Sequence, residues 1–485
     1  MLAYILLFIS LCIIFFLCFP YQLKINKLEI KIIGLIITLL IFILSLFLWL
    51  FFDNSSILPQ FILNLTWLTN YNLNIILGVD GYSLFLILLT TFTIPICILI
   101  NWYCKPIINK IFILVILIIE LFLIIAFSSF DLFLFFIVFE GILIPIFILV
   151  GNWGKRLQKI KANYYFFIYT FFSSIFLLFA ILLIYNEFGT TNYYILTTYI
   201  LPIHLQYIIW LCLFIPFIVK IPVLPFHIWL PEAHVEAPTS GSIILAALLL
   251  KLGLYGILRF LIPICPDANL YFLPLSCTLI LISLFYTSLT TLRQTDLKRI
   301  IAYSSITHIN FATLGLLVFN YQSVQGTIVI IIAHGFVSTA LFSLIGILYE
   351  RTHTRLIDYY SGLAIVIPIF GFFLFFFCFA NFGLPLTFNF IGEFLILLGI
   401  IQQSFNLLII IIIGIFFSLI YSIWLFNRVA FGNLKLNYIQ NYIDLIRFEF
   451  YLLLPLFFLT IYFGVIPNCI LETLDSTIKF YLLSI

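Results

Sequence analysis

Long apolar runs separate short polar stretches along the whole chain, and within the runs no face is left polar. Ile32–Phe52, Ile111–Phe127 and Leu407–Phe426 are each long enough to cross a hydrocarbon core of about 30 Å. Strands of a membrane barrel alternate apolar and polar residues, and these segments do not. The pattern predicts an all-α polytopic membrane protein. Hydropathy windows place about fourteen spans. They lie near 1–20, 32–52, 79–102, 111–129, 131–150, 162–185, 206–230, 239–262, 272–292, 299–319, 323–349, 364–400, 405–427 and 449–466. The twelfth is too long for one straight crossing and contains Pro385, so it reads as a broken helix. The stretch 53–80, with Trp67 and several asparagines, is expected along the membrane interface.

The polar stretches differ in charge. Cations cluster after the first span (Lys24, Lys27, Lys31), the third (Lys105, Lys110) and the fifth (Lys155, Arg156, Lys159, Lys161). They recur after the ninth (Arg293, Lys298, Arg299), the eleventh (Arg351, Arg355) and the thirteenth (Arg428, Lys435, Arg447). Every cluster follows an odd-numbered span, whereas "NEFGTTNYY" and "NYQSVQG", after even spans, carry no cation. One missed helix would invert the order downstream, so the regularity checks the count. By the positive-inside rule these loops face the inner side of the membrane, with both termini on the outer side. Arg259 and Lys479 are the exceptions.

Composition agrees: of 485 residues, 65% are hydrophobic and 8% charged, against about 25% charged in soluble domains. A net charge of +3 is too small to imply a nucleic-acid partner. The nine cysteines stand singly and form no C-x-x-C pair, so no metal or iron–sulfur site is expected. No G-x-G-x-x-G opens a nucleotide or flavin site. The opening "LAYILLFISLCIIFFLCF" lacks a basic n-region and an Arg- and Ser-rich amphipathic character. It is expected to be the first membrane helix rather than a signal or transit peptide. Sparse glycine with abundant Phe and Ile fits an AT-rich coding genome.

Ionisable residues inside spans cost about 2.5–3.5 kcal/mol each and usually face an interior cavity. The candidates are Glu120, Glu140, Lys220, His227, Lys251, His308, His334 and Glu393. In "FIVKIPVLPFHIWLPEAHVEAPTSG", Pro222 and Pro225 follow Lys220 and remove backbone donors. A helix break there would expose carbonyls and amides to a water-accessible channel. Snorkelling to the membrane edge is the alternative for Lys220. Glu140, with about ten mostly apolar residues on either side, and Lys251, in "LAALLLKLGLYG", are as central, and Glu393 follows a Gly-x-Pro break. His308 and His334 could relay protons or stay neutral on Ser and Thr partners. His227 lies two turns from Lys220, on the same face if the helix is unbroken. His204, His234 and His353 are placed in loops, Glu232 and Glu236 at the membrane boundary, and Thr239 or Ser240 at the N-cap of the eighth helix.

"FEGILIPIFILVGNWG", "KIPVLPFHIWLPEAHVEAPTSGSIILAALLLKLGLYGILR", "DLKRIIAYSSITHIN", "AHGFVSTALFSLIGILYERTHTR" and "GLPLTFNFIGEF" resemble the proton-translocating, antiporter-like subunits of respiratory complex I. They also resemble Mrp-type cation/proton antiporter subunits. "YERTHTR", the "GLPLTFNFIGEF" break and the length favour the complex I branch. The resemblance covers about Gly78 to Arg428. It implies fourteen helices with two inverted five-helix repeats, here within 111–262 and 272–427. Three helices precede them (1–110) and a loop and last helix follow (428–485), with the seventh and twelfth helices broken. It implies a mid-membrane axis in which Glu140 pairs with Lys220, followed by Lys251, His308 and His334, with Glu393 at the exit. The bottom-up case for that pair is quantitative: at about 4 Å and an effective dielectric near 20, carboxylate and ammonium attract by about 4 kcal/mol. NADH, FMN, iron–sulfur clusters and ubiquinone are implied for partner subunits and none for this chain. The implied partners are other membrane-arm subunits, including neighbouring antiporter-like ones, and membrane lipids. The implied place is the mitochondrial inner membrane, with organelle encoding, or a bacterial plasma membrane.

Three functions compete: a proton-pumping module of a redox enzyme, a free-standing Na⁺/H⁺ antiporter, and a passive scaffold. Several mid-membrane charges, costing roughly 10 kcal/mol together, disfavour the scaffold.

Overall fold

The structure, a computed structural model, describes residues 1–18, 27–102, 109–154, 156–435 and 443–483. Lys24, Lys105 and Lys155 of the charge pattern lie outside the described residues. The chain opens with α1 (Leu2–Cys18), α2 (Lys27–Leu50), a hairpin of β1 (Gln60–Leu68) and β2 (Leu73–Val79), and α3 (Gly81–Ile100). Then come α4 (Lys110–Ser128), α5 (Leu132–Trp153) and α6 (Lys159–Phe188). The broken α7 has halves α7a (Ile203–Lys220) and α7b (Trp229–Glu236). After it come α8 (Thr239–Ile264), α9 (Pro266–Arg293), α10 (Leu297–Val318) and α11 (Tyr321–Thr352). The broken α12 (α12a Pro368–Asn381, α12b Phe388–Gln403) precedes α13 (Phe405–Ala430), α14 (Arg447–Val465) and α15 (Asn468–Leu483). Among the described residues, twelve helices are long and apolar enough to cross a membrane, and α1, α12a and α12b contribute shorter apolar helices. Each expected span is occupied by a helix or a broken pair.

Helices dominate because a backbone in hydrocarbon must satisfy its own hydrogen bonds. The core sits around α8 and α11, which are buried along their whole apolar lengths, while α2, α13 and α14 turn most of their surface outward. Where the helical ladder fails, side chains replace it. Trp229 Nε1 donates to the Val219 carbonyl at 3.0 Å, and Leu224 N donates to Ser283 Oγ at 3.2 Å, across the α7 break. At the α12 break Asn389 Nδ2 donates to the Ala380 carbonyl at 2.9 Å. Gly383 there has φ +80°, and a Cβ on it would lie 2.5 Å from Glu393 Oε2, so only glycine lets the backbone approach that carboxyl. α5 is interrupted at Ile142, just after Glu140. Pro145 has no N–H to offer the Gly141 carbonyl.

Several expectations need correction. The 53–80 stretch contains an antiparallel hairpin, with β1 and β2 paired from Gln60↔Val79 to Leu68↔Leu73, so the all-α body bears one small sheet. A fifteenth helix, α15, follows the last expected span. Pro238, not Thr239 or Ser240, occupies the N-cap of α8, and Thr239 Oγ1 instead donates to Asn101 Oδ1 at 3.1 Å. Lys298 and Arg355 are not solvated loop cations. Lys298 donates to the Ala237 carbonyl at 2.9 Å and to Ser242 Oγ at 3.2 Å. Arg355 donates to the Val235 carbonyl and lies 3.7 Å from Glu236 and 3.8 Å from Asp296. Both are buried and hold the turn between α7b and α8 against α10.

Candidate functional site

The break after α7a ends on Lys220, which is 1% exposed and has no hydrogen-bond partner on Nζ. Its ammonium lies 4.5 Å from the Phe139 ring centroid and 6.0 Å from that of Phe166. Glu140, beside Phe139, is within electrostatic reach of Lys220 and within hydrogen-bonding reach of Ser174, yet its Oε1 is unpartnered. The two charges are therefore neighbours, as expected, but not the direct pair at about 4 Å that the sequence suggests; an aromatic face holds the lysine. His227 lies in the break and not on a continued helix, so its two-turn spacing from Lys220 carries no meaning. It is buried with Nδ1 unpartnered, 5.5 Å from the Tyr286 ring of α9 and 6.3 Å from the Tyr303 ring of α10.

The second half of the set lies close together. Two π-helical turns, Leu245–Leu249 and Ile257–Leu261, flank Lys251 in α8, and such turns often mark functional positions. Lys251 is fully buried, and its Nζ donates to the Ala246 carbonyl of the first π turn at 2.6 Å. The same Nζ lies 2.9 Å from His334 Nδ1 on α11. The His334 and His308 rings stand 6.1 Å apart. His308 Nδ1 is 3.6 Å from Glu393 Oε1, and its Nε2 is 3.1 Å from the Tyr421 hydroxyl of α13. A cavity of about 20 Å³ lined by Thr307, His308, Glu393 and Ser418 adjoins them, and that is room for one water. Lys251, His334, His308 and Glu393 thus join α8, α11, α10 and α12b in one line of proton-capable groups.

Two residues beside this line were missed from the sequence. Tyr421 closes the line and also lies 3.1 Å from Thr307 Oγ1; the only cue was a tyrosine between Ser418 and Ser422 in an apolar helix. His234, expected in a solvated or structural loop, is fully buried on α7b and stacked 4.9 Å from Phe342, with neither ring nitrogen partnered. It lies within electrostatic reach of Lys251, His334 and Lys298. Glu120 is also fully buried with both carboxyl oxygens unpartnered, but its electrostatic neighbours are Cys12 and Cys97, away from the line. Among the described residues no cluster of His, Cys, Asp and Glu could hold a metal ion.

Comparison with known proteins places this geometry. Residues 129–420 match the family model described as the transmembrane region of NADH:quinone oxidoreductase and Mrp antiporters. The chain is 48% identical to NADH-ubiquinone oxidoreductase chain 4 of Marchantia polymorpha, over 91% of this chain and 89% of that one. It is 47% identical to the protein of the same name in Arabidopsis thaliana, over 93% and 91%. A chain of respiratory complex I from Thermus thermophilus with bound NADH superposes with a TM-score of 0.88 at 25% identity, covering 99% of this chain and 98% of that one. The chain belongs to the NADH-ubiquinone oxidoreductase chain 4 family.

Proposed function

We propose that this membrane subunit of complex I moves protons along Glu140, Lys220, His227, Lys251, His334, His308 and Glu393, driven by redox chemistry in other subunits. The observation that carries the reading is the Lys251–His334–His308–Glu393 line, made of four helices from distant parts of the sequence and buried in an otherwise apolar body. Lys251 and His334 meet at 2.9 Å and His308 and Glu393 at 3.6 Å; the other steps need water or side-chain movement between the groups. NADH, FMN, iron–sulfur clusters and ubiquinone belong to the partner subunits, and neighbouring antiporter-like subunits and lipids cover the outward faces. The mitochondrial inner membrane is the location, as the eukaryotic relatives suggest.

The two five-helix repeats are supported by a repeated detail. Asp131 caps α5, accepting from Phe133 N at 2.9 Å and Leu134 N at 3.0 Å, and bridges by its backbone to Asn192, after α6. Asp296 caps α10, accepting from Lys298 N at 3.0 Å, and bridges to Leu356, after α11. Each is the second helix of a repeat bridged to the segment after the third, on opposite sides of the membrane if the spans alternate.

The test is NADH-driven proton uptake in membranes carrying Lys251→Ala or Glu393→Ala. Fewer protons per NADH, or slower NADH oxidation, with the complex assembled supports the reading; unchanged pumping sinks it. A free-standing antiporter would instead purify without NADH-oxidising subunits.

A further inference from the structure

Arg259 breaks the charge pattern of the loops, and the structure shows what surrounds it. Lys251, Tyr255 and Arg259 succeed one another at intervals of four along α8, so polar groups line one face from the proton line toward the cation-poor end. Tyr255 OH donates to the Ser129 carbonyl at 3.1 Å and accepts from Arg259 Nε at 3.3 Å. Arg259 Nη1 donates to Asp80 Oδ2 at 2.5 Å and to the Tyr481 hydroxyl, which itself donates to Asp80 Oδ2 at 3.0 Å. The guanidinium carbon lies 4.0 Å from the Phe130 ring, 4.7 Å from Tyr82 and 5.4 Å from Tyr193. No part of Arg259 reaches the surface, and its Nη2 and Asp80 Oδ1 are unpartnered.

A tyrosine hydroxyl can pass a proton; a guanidinium cannot, because it has no acceptor and does not deprotonate. A fixed guanidinium also repels hydronium, as arginines in selective pores do. The rings of Phe130, Tyr193 and Tyr255 pack around it. α15 closes the end of the box: it brings Tyr481, and its Thr473 carbonyl packs so close to Gly81, the residue after Asp80, that a Cβ there would collide with it.

We propose that Arg259, held by Asp80 and Tyr481 inside this aromatic box, is a proton seal that stops the polar face of α8 from leaking the Lys251 proton toward the cation-poor side. The inference rests on the proton-translocating reading above. It makes Arg259 a blocking residue, not a carrier, and it gives α15 a task at its Tyr481 end.

The experiment uses the whole complex reconstituted into liposomes. A pH gradient is imposed without NADH, and passive proton entry is followed with a trapped pH dye. In Arg259→Met, entry should rise several-fold and protons per NADH should fall while NADH oxidation continues. Arg259→Lys keeps a cation but one that can give up its proton, so it should leak more than the parent and less than Arg259→Met. Adding Lys251→Ala to Arg259→Met should abolish the extra leak, because the leak starts at Lys251. Tyr481→Phe keeps the ring and removes one contact, and should leak measurably even where Arg259→Met assembles poorly. Assembled Arg259→Met and Tyr481→Phe complexes that hold the gradient like the parent overturn the seal, and so does a leak that persists without Lys251. Lys251→Ala alone judges the proton-translocating reading separately: normal pumping there defeats the proton line, whatever the gradient experiment shows.

Discussion

Lys251 and His334 share a hydrogen bond, Nζ to Nδ1 at 2.9 Å, although 83 residues separate them in the chain. When Lys251 is an ammonium it has only donors, so His334 Nδ1 then accepts and the ring proton sits on Nε2. His334 then presents an acceptor to Lys251 and a donor elsewhere, and the next ring, His308, is 6.1 Å away. On the proposed function, that polarity would let the imidazole relay a proton rather than only cap the lysine.

His334→Gln should therefore slow NADH-driven proton uptake by about a hundredfold, the low end of what a positioned proton-transfer group contributes. The amide can accept from Lys251 but cannot pass a proton through itself. Proton uptake and electron transfer measured on the same membranes check this; a glutamine variant that pumps normally would make His334 a spacer.

Tyr421→Phe removes a hydroxyl 3.1 Å from both His308 Nε2 and Thr307 Oγ1 while keeping the ring. The expected outcome is slower NADH-driven proton uptake, because His308 loses a hydrogen-bond partner, with little change in the amount of assembled complex. An unchanged rate would place Tyr421 outside the path.

The difference between what the sequence disclosed and what it concealed has a physical basis. Spans are legible because lipid demands uninterrupted apolar surface, and the α7 break because Pro222 and Pro225 remove donors. The line itself was legible as a set of improbable ionisable residues, each too deep to be a surface charge. Its order was not, since contacts such as His308–Tyr421 arise from helices that meet only after packing. His234 was hidden because "PEAHVEAPTSG" reads as a polar loop, and only the packing of α7b against Phe342 buries it. α15 was hidden because Glu472, Asp475 and Lys479 dilute its hydropathy. The β1–β2 hairpin was hidden because a short strand pair leaves a weak periodic signal.

Trp229→Phe should destabilise the α7 break by about 1–3 kcal/mol, since the buried Val219 carbonyl loses the indole donor 3.0 Å away. Faster hydrogen exchange across 219–229 and a lower thermal midpoint of the purified complex are the expected signs. Exchange at the parental rate would mean that the break is held by other contacts.

Topology can be checked with two engineered cysteines. Lys161→Cys, at the start of α6, and Glu187→Cys, near its end, should react with an impermeant thiol reagent from opposite faces of the membrane. Reaction of both from one face would contradict the fourteen-span arrangement.

Glu140 and Lys220 give the last prediction. The Lys220 ammonium rests against Phe139, an attraction of about 0.5–2 kcal/mol. Direct contact with an ionised Glu140 at about 4 Å would be worth about 4 kcal/mol at an effective dielectric near 20. An ionised, free carboxylate would draw the ammonium to itself, and the ring would hold it when the carboxyl is neutral or turned toward Ser174. Two resting places for one ammonium, chosen by the state of its neighbour, would let Glu140 decide when Lys220 holds and when it releases its proton. On this view Glu140→Gln parks the lysine on the ring and should impair proton uptake about as severely as Lys220→Ala. The double variant should be little worse than either, because one coupled unit is lost once. NADH-driven proton uptake measured for the three variants decides it: losses that simply add would mean that the two residues act separately and that the two-place arrangement has no part in pumping.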